Sequence, residues 1–83
     1  MSDIKLNDLI ALTEDIKATR FLEEGEILLR RGLVGTIVEE LGHGEAYEIE
    51  FSRDTDGQAY AMVSVEPEKF MVLHNEPVEL AAG

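Results

Sequence analysis

The sequence predicts an all-β fold, a small five-stranded barrel, on three observations. Tyr47, Ile49 and Phe51 alternate with Ala46, Glu48 and Glu50, the period-two signature of a half-buried antiparallel strand. The apolar stretch 33–41 precedes that strand across Gly42-His43-Gly44, a glycine-bounded hairpin turn. A further stretch, 58–65, follows Asp54-Thr55-Asp56-Gly57, where Asp caps its own backbone and Gly accepts positive φ.

Along the chain, residues 1–7 read as an N-terminal arm, 8–74 as the barrel and 75–83 as a flexible tail. Leu9-Ile10-Ala11-Leu12-Thr13-Glu14-Asp15-Ile16 reads as a short amphipathic helix or as a first strand with Ile10, Leu12 and Ile16 on one face. The strand is favoured, because Thr13 and the neighbouring β-formers suit it and the following chain is strand-rich. Residues 17–31 form a long first connection in which Phe21, Leu22, Ile27, Leu28 and Leu29 are scattered among Glu23, Glu24 and Glu26, interrupted by Gly25. Either a helical turn or a second hairpin fits there, and periodicity does not choose between them. Loops of that length in small domains are functional or carry internal packing. The second strand is entered through Gly32 and Gly35, and a glycine within a strand marks a bulge or a close backbone approach. Val63 and Val65 point inward with Ala61 on the fourth strand, and Pro67 ends it. Glu68-Lys69-Phe70 fits one 3₁₀ turn, and Met71-Val72-Leu73-His74 is the closing strand. Five short strands, a long first loop, tight hairpins and a one-turn 3₁₀ helix before the last strand describe an SH3-like barrel.

Eighty-three residues make one domain with a thin stability margin. With no cysteine, neither a disulfide framework nor a thiolate metal site supplements the core. The first twenty residues show no hydrophobic segment preceded by basic residues, so a cytoplasmic location is expected. No apolar run approaches the ~20 residues that span a bilayer. Eighteen acids against seven bases give a net charge of −11. Nucleic acid and anionic membrane are therefore poor partners, since phosphate binding needs clustered Lys or Arg. A protein with a basic surface suits this charge better.

The segments Ala11-Leu12-Thr13-Glu14-Asp15-Ile16, Arg31-Gly32-Leu33-Val34-Gly35-Thr36-Ile37-Val38-Glu39 and Gly44-Glu45-Ala46-Tyr47-Glu48-Ile49-Glu50-Phe51 resemble a family of short, functionally uncharacterised bacterial proteins, common in cyanobacteria. The resemblance spans roughly residues 8–73 and implies an SH3-like barrel with no assigned activity, placed beside toxin-like partner proteins. Members join the first strand to the Arg-Gly motif with fewer residues, so the segment 18–29 is a departure. The stretch 32–39 also resembles the KOW element of ribosomal and transcription-elongation proteins. KOW modules that bind RNA carry basic residues there, whereas this chain continues into Glu39-Glu40 and Glu48/Glu50.

Candidate chemistry is sparse. His43 and His74 lack the partner spacing of a metal site or a general base. An EF-hand reading of Asp54-Thr55-Asp56-Gly57 fails, because the twelfth place falls on Val63 rather than a bidentate Glu. Glu48 and Glu50, with Glu39 opposite, form a solvated acidic stripe rather than a buried acid–base pair. Tyr47 and Phe51 are core residues, which leaves Tyr60 as the exposed aromatic. Arg30 and Arg31 beside Phe21, Leu22 and Leu28 combine positive charge with loose apolar side chains, the composition of an interface anchor. No nucleophile–base pair, nucleotide loop or cofactor motif is recognisable, so neither an enzyme nor a bound cofactor is expected. The sequence thus predicts a non-catalytic protein-binding module, monomeric or homodimeric, that regulates or neutralises a partner. Its contact residues would be Phe21, Leu22, Leu28, Arg30, Arg31, Glu48, Glu50 and Tyr60. The alternatives are a KOW-like RNA- or ribosome-associated module and an auxiliary subunit of an enzyme.

Overall fold

The computed structural model describes residues 4–20, 24–52 and 59–81. Seven strands follow in order: β1 Leu9–Leu12, β2 Ile16–Thr19, β3 Glu26–Leu29, β4 Val34–Leu41, β5 Ala46–Ser52, β6 Ala59–Val65 and β7 Phe70–Val72, with a 3₁₀ turn at Pro67–Lys69 before β7. Five of them form one antiparallel sheet in the order β6-β5-β4-β1-β7, and β2 pairs with β3 in a separate hairpin.

The fold is all-β as expected, with three differences of detail. The expected long first connection, 17–31, largely forms the β2–β3 hairpin, so the strands number seven rather than five. The stretch expected as one strand from Leu9 to Ile16 is two strands in two different sheets. Ile16 pairs with Leu29 of the hairpin, while Leu12 pairs with Phe70. The break falls at Thr13–Asp15 because these residues bond elsewhere. The Thr13 N–H donates to the Lys69 carbonyl at 2.9 Å, and the Asp15 carboxylate accepts the Arg31 N–H at 2.7 Å. The third difference is closure. The five-stranded sheet remains open, and the β2–β3 hairpin lies over its inner face, so the enclosure is barrel-like without a continuous ladder.

Alternation along the strands builds the core. Ile10 and Leu12 of β1, Ile37 of β4, Tyr47, Ile49 and Phe51 of β5, Ala61 and Val65 of β6, and Phe70 of β7 are buried. Ala18 and Leu29 of the hairpin are buried with them, so every strand contributes to one cluster. Tyr47 meets Phe70 edge-on with ring centroids 5.8 Å apart, a favoured aromatic geometry. The hairpin is therefore held by apolar burial rather than by sheet hydrogen bonds to the main sheet.

Turns place the connections. Leu33 N–H donates to the Arg30 carbonyl at 2.9 Å, closing a β-turn with Arg31 and Gly32 at its centre. Gly32 has φ +93°, the left-handed third position of a type II turn. Its N–H reaches the Leu12 carbonyl at 2.8 Å, which ties the end of the hairpin to β1. Gly35 serves a different need. It faces inward opposite Ile10, and a Cβ there would lie 2.7 Å from both Ile49 Cγ2 and Phe51 Cε1. The glycine expected to mark a bulge or a close approach is thus a close approach, while the irregularity in β4 falls between Ile37 and Glu39. Ahead of β1, the Asn7 N–H donates to the Ile37 carbonyl at 2.7 Å, so the chain just before the first strand is already bonded to β4.

Candidate functional site: two interaction surfaces

The first surface is the outward face of the five-stranded sheet, and the strand register defines it. Leu9 lies opposite Thr36, Thr36 opposite Glu50, and Glu50 opposite Met62. The Leu73 N–H donates to the Leu9 carbonyl at 2.9 Å, which extends this row past the end of β7. One row therefore reads Leu73, Leu9, Thr36, Glu50, Met62, across four strands and the residue that follows β7. A second reads Met71, Ala11, Val34, and a third Glu39, Glu48, Ser64. Leu9 is 49%, Val34 47% and Met71 54% exposed. The face thus grades from apolar on β7, β1 and the start of β4 to acidic on β5 and the far half of β4. Glu39 and Glu48 face each other directly, a cross-strand like-charge pair that costs stability.

The second surface is a groove of about 480 Å³ at the base of the hairpin. Ile27, Leu28 and Arg30 line it from β3 and the residue that follows, Leu33 from the turn before β4, Arg20 from the end of β2 and Tyr60 from β6. A glycine turn fixes Arg30, and a core residue, Leu29, anchors the strand before it. The groove lining is mostly apolar with two arginines, Arg20 and Arg30, and its volume lies in the range of ligand pockets.

The structure brings together three of the expected contact residues, Leu28, Arg30 and Tyr60, around the groove, although Tyr60, expected to be exposed, is half-buried and packs against the core. Arg31 is exposed at the adjoining turn. Glu48 and Glu50 lie on the outer face, on the opposite side of β5 from Tyr47, Ile49 and Phe51. Phe21 and Leu22 lie outside the described residues, as does the Asp54–Gly57 turn. The sequence reading missed the apolar half of the outer face. A signal was present: Leu9-Ile10-Ala11-Leu12 and Phe70-Met71-Val72-Leu73 are apolar at every position, which in a strand makes both faces apolar. His43 and His74 are both exposed, and no group of acidic or histidine side chains among the described residues converges to hold a metal ion. No helix among the described residues is long and apolar enough to cross a membrane.

Fold and surfaces together define a small all-β module with two distinct surfaces, an outer sheet face that grades from apolar to acidic and a hairpin-base groove lined by apolar residues with Arg20 and Arg30. The chain belongs to the family described as a domain of unknown function (DUF4926), whose model matches residues 6–72. That match ends with β7, so the segment from Leu73 onward lies outside it. No curated protein and no solved structure matches the chain.

Proposed function

We propose that the chain is a non-catalytic module, acting in the bacterial cytoplasm, that binds a partner protein and regulates or neutralises it. The outer sheet face carries this reading. Leu9, Val34, Met71 and Leu73 are exposed beside Glu39, Glu48 and Glu50, and monomeric proteins rarely leave a contiguous apolar face uncovered without a use for it. The complementary surface is amphipathic and cationic: apolar side chains against β1 and β7, with Lys or Arg over the β5 carboxylates. The net charge of −11 steers such a partner toward the module and repels other acidic chains. The hairpin contributes by shielding the inner face, which leaves the outer one as the large accessible sheet surface.

The test is capture of the endogenous partner, paired with shift mapping by NMR. Wild-type protein is expected to retain a basic protein that Met71→Asp and the double change Glu48→Lys plus Glu50→Lys both fail to retain. A synthetic Leu/Lys amphipathic peptide is expected to move the amide signals of Leu9, Val34, Glu50 and Met71. Equal capture by all three proteins, with no movement of those signals, would sink the reading. The RNA-binding alternative rests on the resemblance of residues 32–39 to the KOW element, beside the basic pair Arg30-Arg31; a salt-sensitive shift of labelled RNA would favour it over a protein partner.

A further inference from the structure

The groove and the C-terminal segment are complementary. Asn75-Glu76-Pro77-Val78-Glu79-Leu80 combines two acids, two apolar side chains and a proline. It runs without regular structure and wholly exposed, with Val78 84% and Leu80 89% accessible. Isolated exposed apolar residues are common, but two in one extended strip beside carboxylates form a recognisable ligand. Pro77 holds φ near its extended value and removes one backbone donor, which lowers the ordering cost of docking. The groove offers the matching features: Ile27, Leu28 and Leu33 for Val78 and Leu80, and Arg30 for the carboxylates of Glu76 and Glu79.

We propose that the groove binds the C-terminal segment of a second copy of this chain, giving a reciprocal homodimer. Chain direction favours a second copy over the segment's own groove. Leu73 sits beside Leu9, at one end of β1, whereas the groove residue Leu33 accepts the Leu12 N–H at the other end, 3.0 Å away. The tail therefore leaves β1 at the end remote from the groove, and self-docking would require it to reverse. Exchange between two copies needs no reversal and satisfies both grooves by two-fold symmetry. Arginine suits this role because its planar fork can hold a carboxylate through two parallel hydrogen bonds. The inference does not depend on the outer-face reading, since the two surfaces share no residue.

A charge exchange on the full chain tests it by sedimentation equilibrium. Wild type is expected to shift from monomer to dimer between low micromolar and high micromolar concentration. Arg30→Glu alone, and Glu76→Arg with Glu79→Arg alone, are each expected to weaken association at least tenfold. Mixing those two variants is expected to restore it, because each groove then meets an oppositely charged tail on the other chain. Far-UV circular dichroism of each variant checks that the fold survives. Concentration-dependent movement of the Ile27, Leu33 and Tyr60 amide signals locates the contact. A wild type that stays monomeric throughout, or a mixture that fails to associate while each chain is folded, overturns the proposal. Groove signals that respond to the tail variant but not to concentration overturn it as well, in favour of docking within one chain.

Discussion

Replacing Gly35 with alanine probes the register on which the core rests. Gly35 pairs with Ile10 and faces inward, and its φ is not in the left-handed region, so the residue is required for space rather than for conformation. A Cβ would stand 2.7 Å from Ile49 Cγ2, 2.7 Å from Phe51 Cε1 and 2.9 Å from Phe51 Cδ1. Neither neighbour has any exposed surface, so neither can swing into solvent to make room. Inserting a methyl into a packed core typically costs about 1–3 kcal/mol. Alanine also restricts the unfolded chain, which returns about 0.4–1 kcal/mol. The net destabilisation is about 1–2 kcal/mol. For a domain of this size, each kcal/mol moves Tm by about 4–8 °C, so Gly35→Ala should melt roughly 5–15 °C below wild type.

Thermal and urea unfolding measure the loss, and a double-mutant cycle assigns its cause. Phe51→Leu removes the ring atoms nearest the new methyl, so Gly35→Ala combined with Phe51→Leu should be less destabilised than the sum of the single changes. The expected coupling is at least about 0.5 kcal/mol. Full additivity, or a Gly35→Ala protein that melts with wild type, would mean that β4 does not present Gly35 to Phe51. The inward and outward assignment of the outer-face rows would fall with it.

The other expectations use the same two assays. Leu29→Ala should cost about 2–5 kcal/mol, whereas Leu28→Ala, next to it in β3, should cost under about 0.5 kcal/mol; Leu29 is 1% exposed and Leu28 54%. Equal losses would mean that the hairpin does not pack by its Leu29 face. Gly32→Ala meets no atom within 4 Å but forces φ +93° on alanine, so its cost should be about 1–2 kcal/mol with no coupling to any core change. Glu39→Lys replaces a like-charge cross-strand pair with Glu48 by an opposite one and should stabilise by about 0.2–1 kcal/mol, less at high salt.

Most of the main sheet was legible because its strands alternate in the simplest way. Tyr47, Ile49 and Phe51 are apolar at one parity with glutamate at the other, and all three are buried. The Gly42–Gly44 turn and the 3₁₀ turn fell within a residue of their expected places. The β1–β2 break was not legible, because the partners that create it are distant in sequence: Lys69 for Thr13 and Arg31 for Asp15. Local propensity favours continuing a strand through Thr13, and only tertiary hydrogen bonds end it. The hairpin was hidden for a related reason. Ile27-Leu28-Leu29 is apolar without interruption, yet only Leu29 is fully buried, so no period could emerge. The expected contact residues were chosen by charge, aromaticity and loose apolar side chains; the structure gathers Leu28, Arg30 and Tyr60 around the groove and puts Glu48 and Glu50 on the outer face. Aliphatic residues on the solvent side of β1 and β7 carry no such flag in a sequence.

On the two proposals, separation of the two surfaces would have a functional consequence. The same β2–β3 hairpin that covers the inner face also builds the groove wall, so basic side chains collect at the hairpin base while Glu39, Glu48 and Glu50 collect on the opposite face of the sheet. A cationic partner would then be drawn to the sheet and an acidic segment to the groove, and neither ligand would suit the other's place. Tail exchange would therefore leave the outer face of each copy open, giving a bivalent module that presents two identical acidic–apolar faces. Partner capture and self-association should then vary independently. Glu48→Lys with Glu50→Lys should abolish capture without moving the monomer–dimer midpoint, and Arg30→Glu should do the reverse. If either change moved both properties together, the two surfaces would be one site, and the charge segregation across β5 would no longer account for what the module binds.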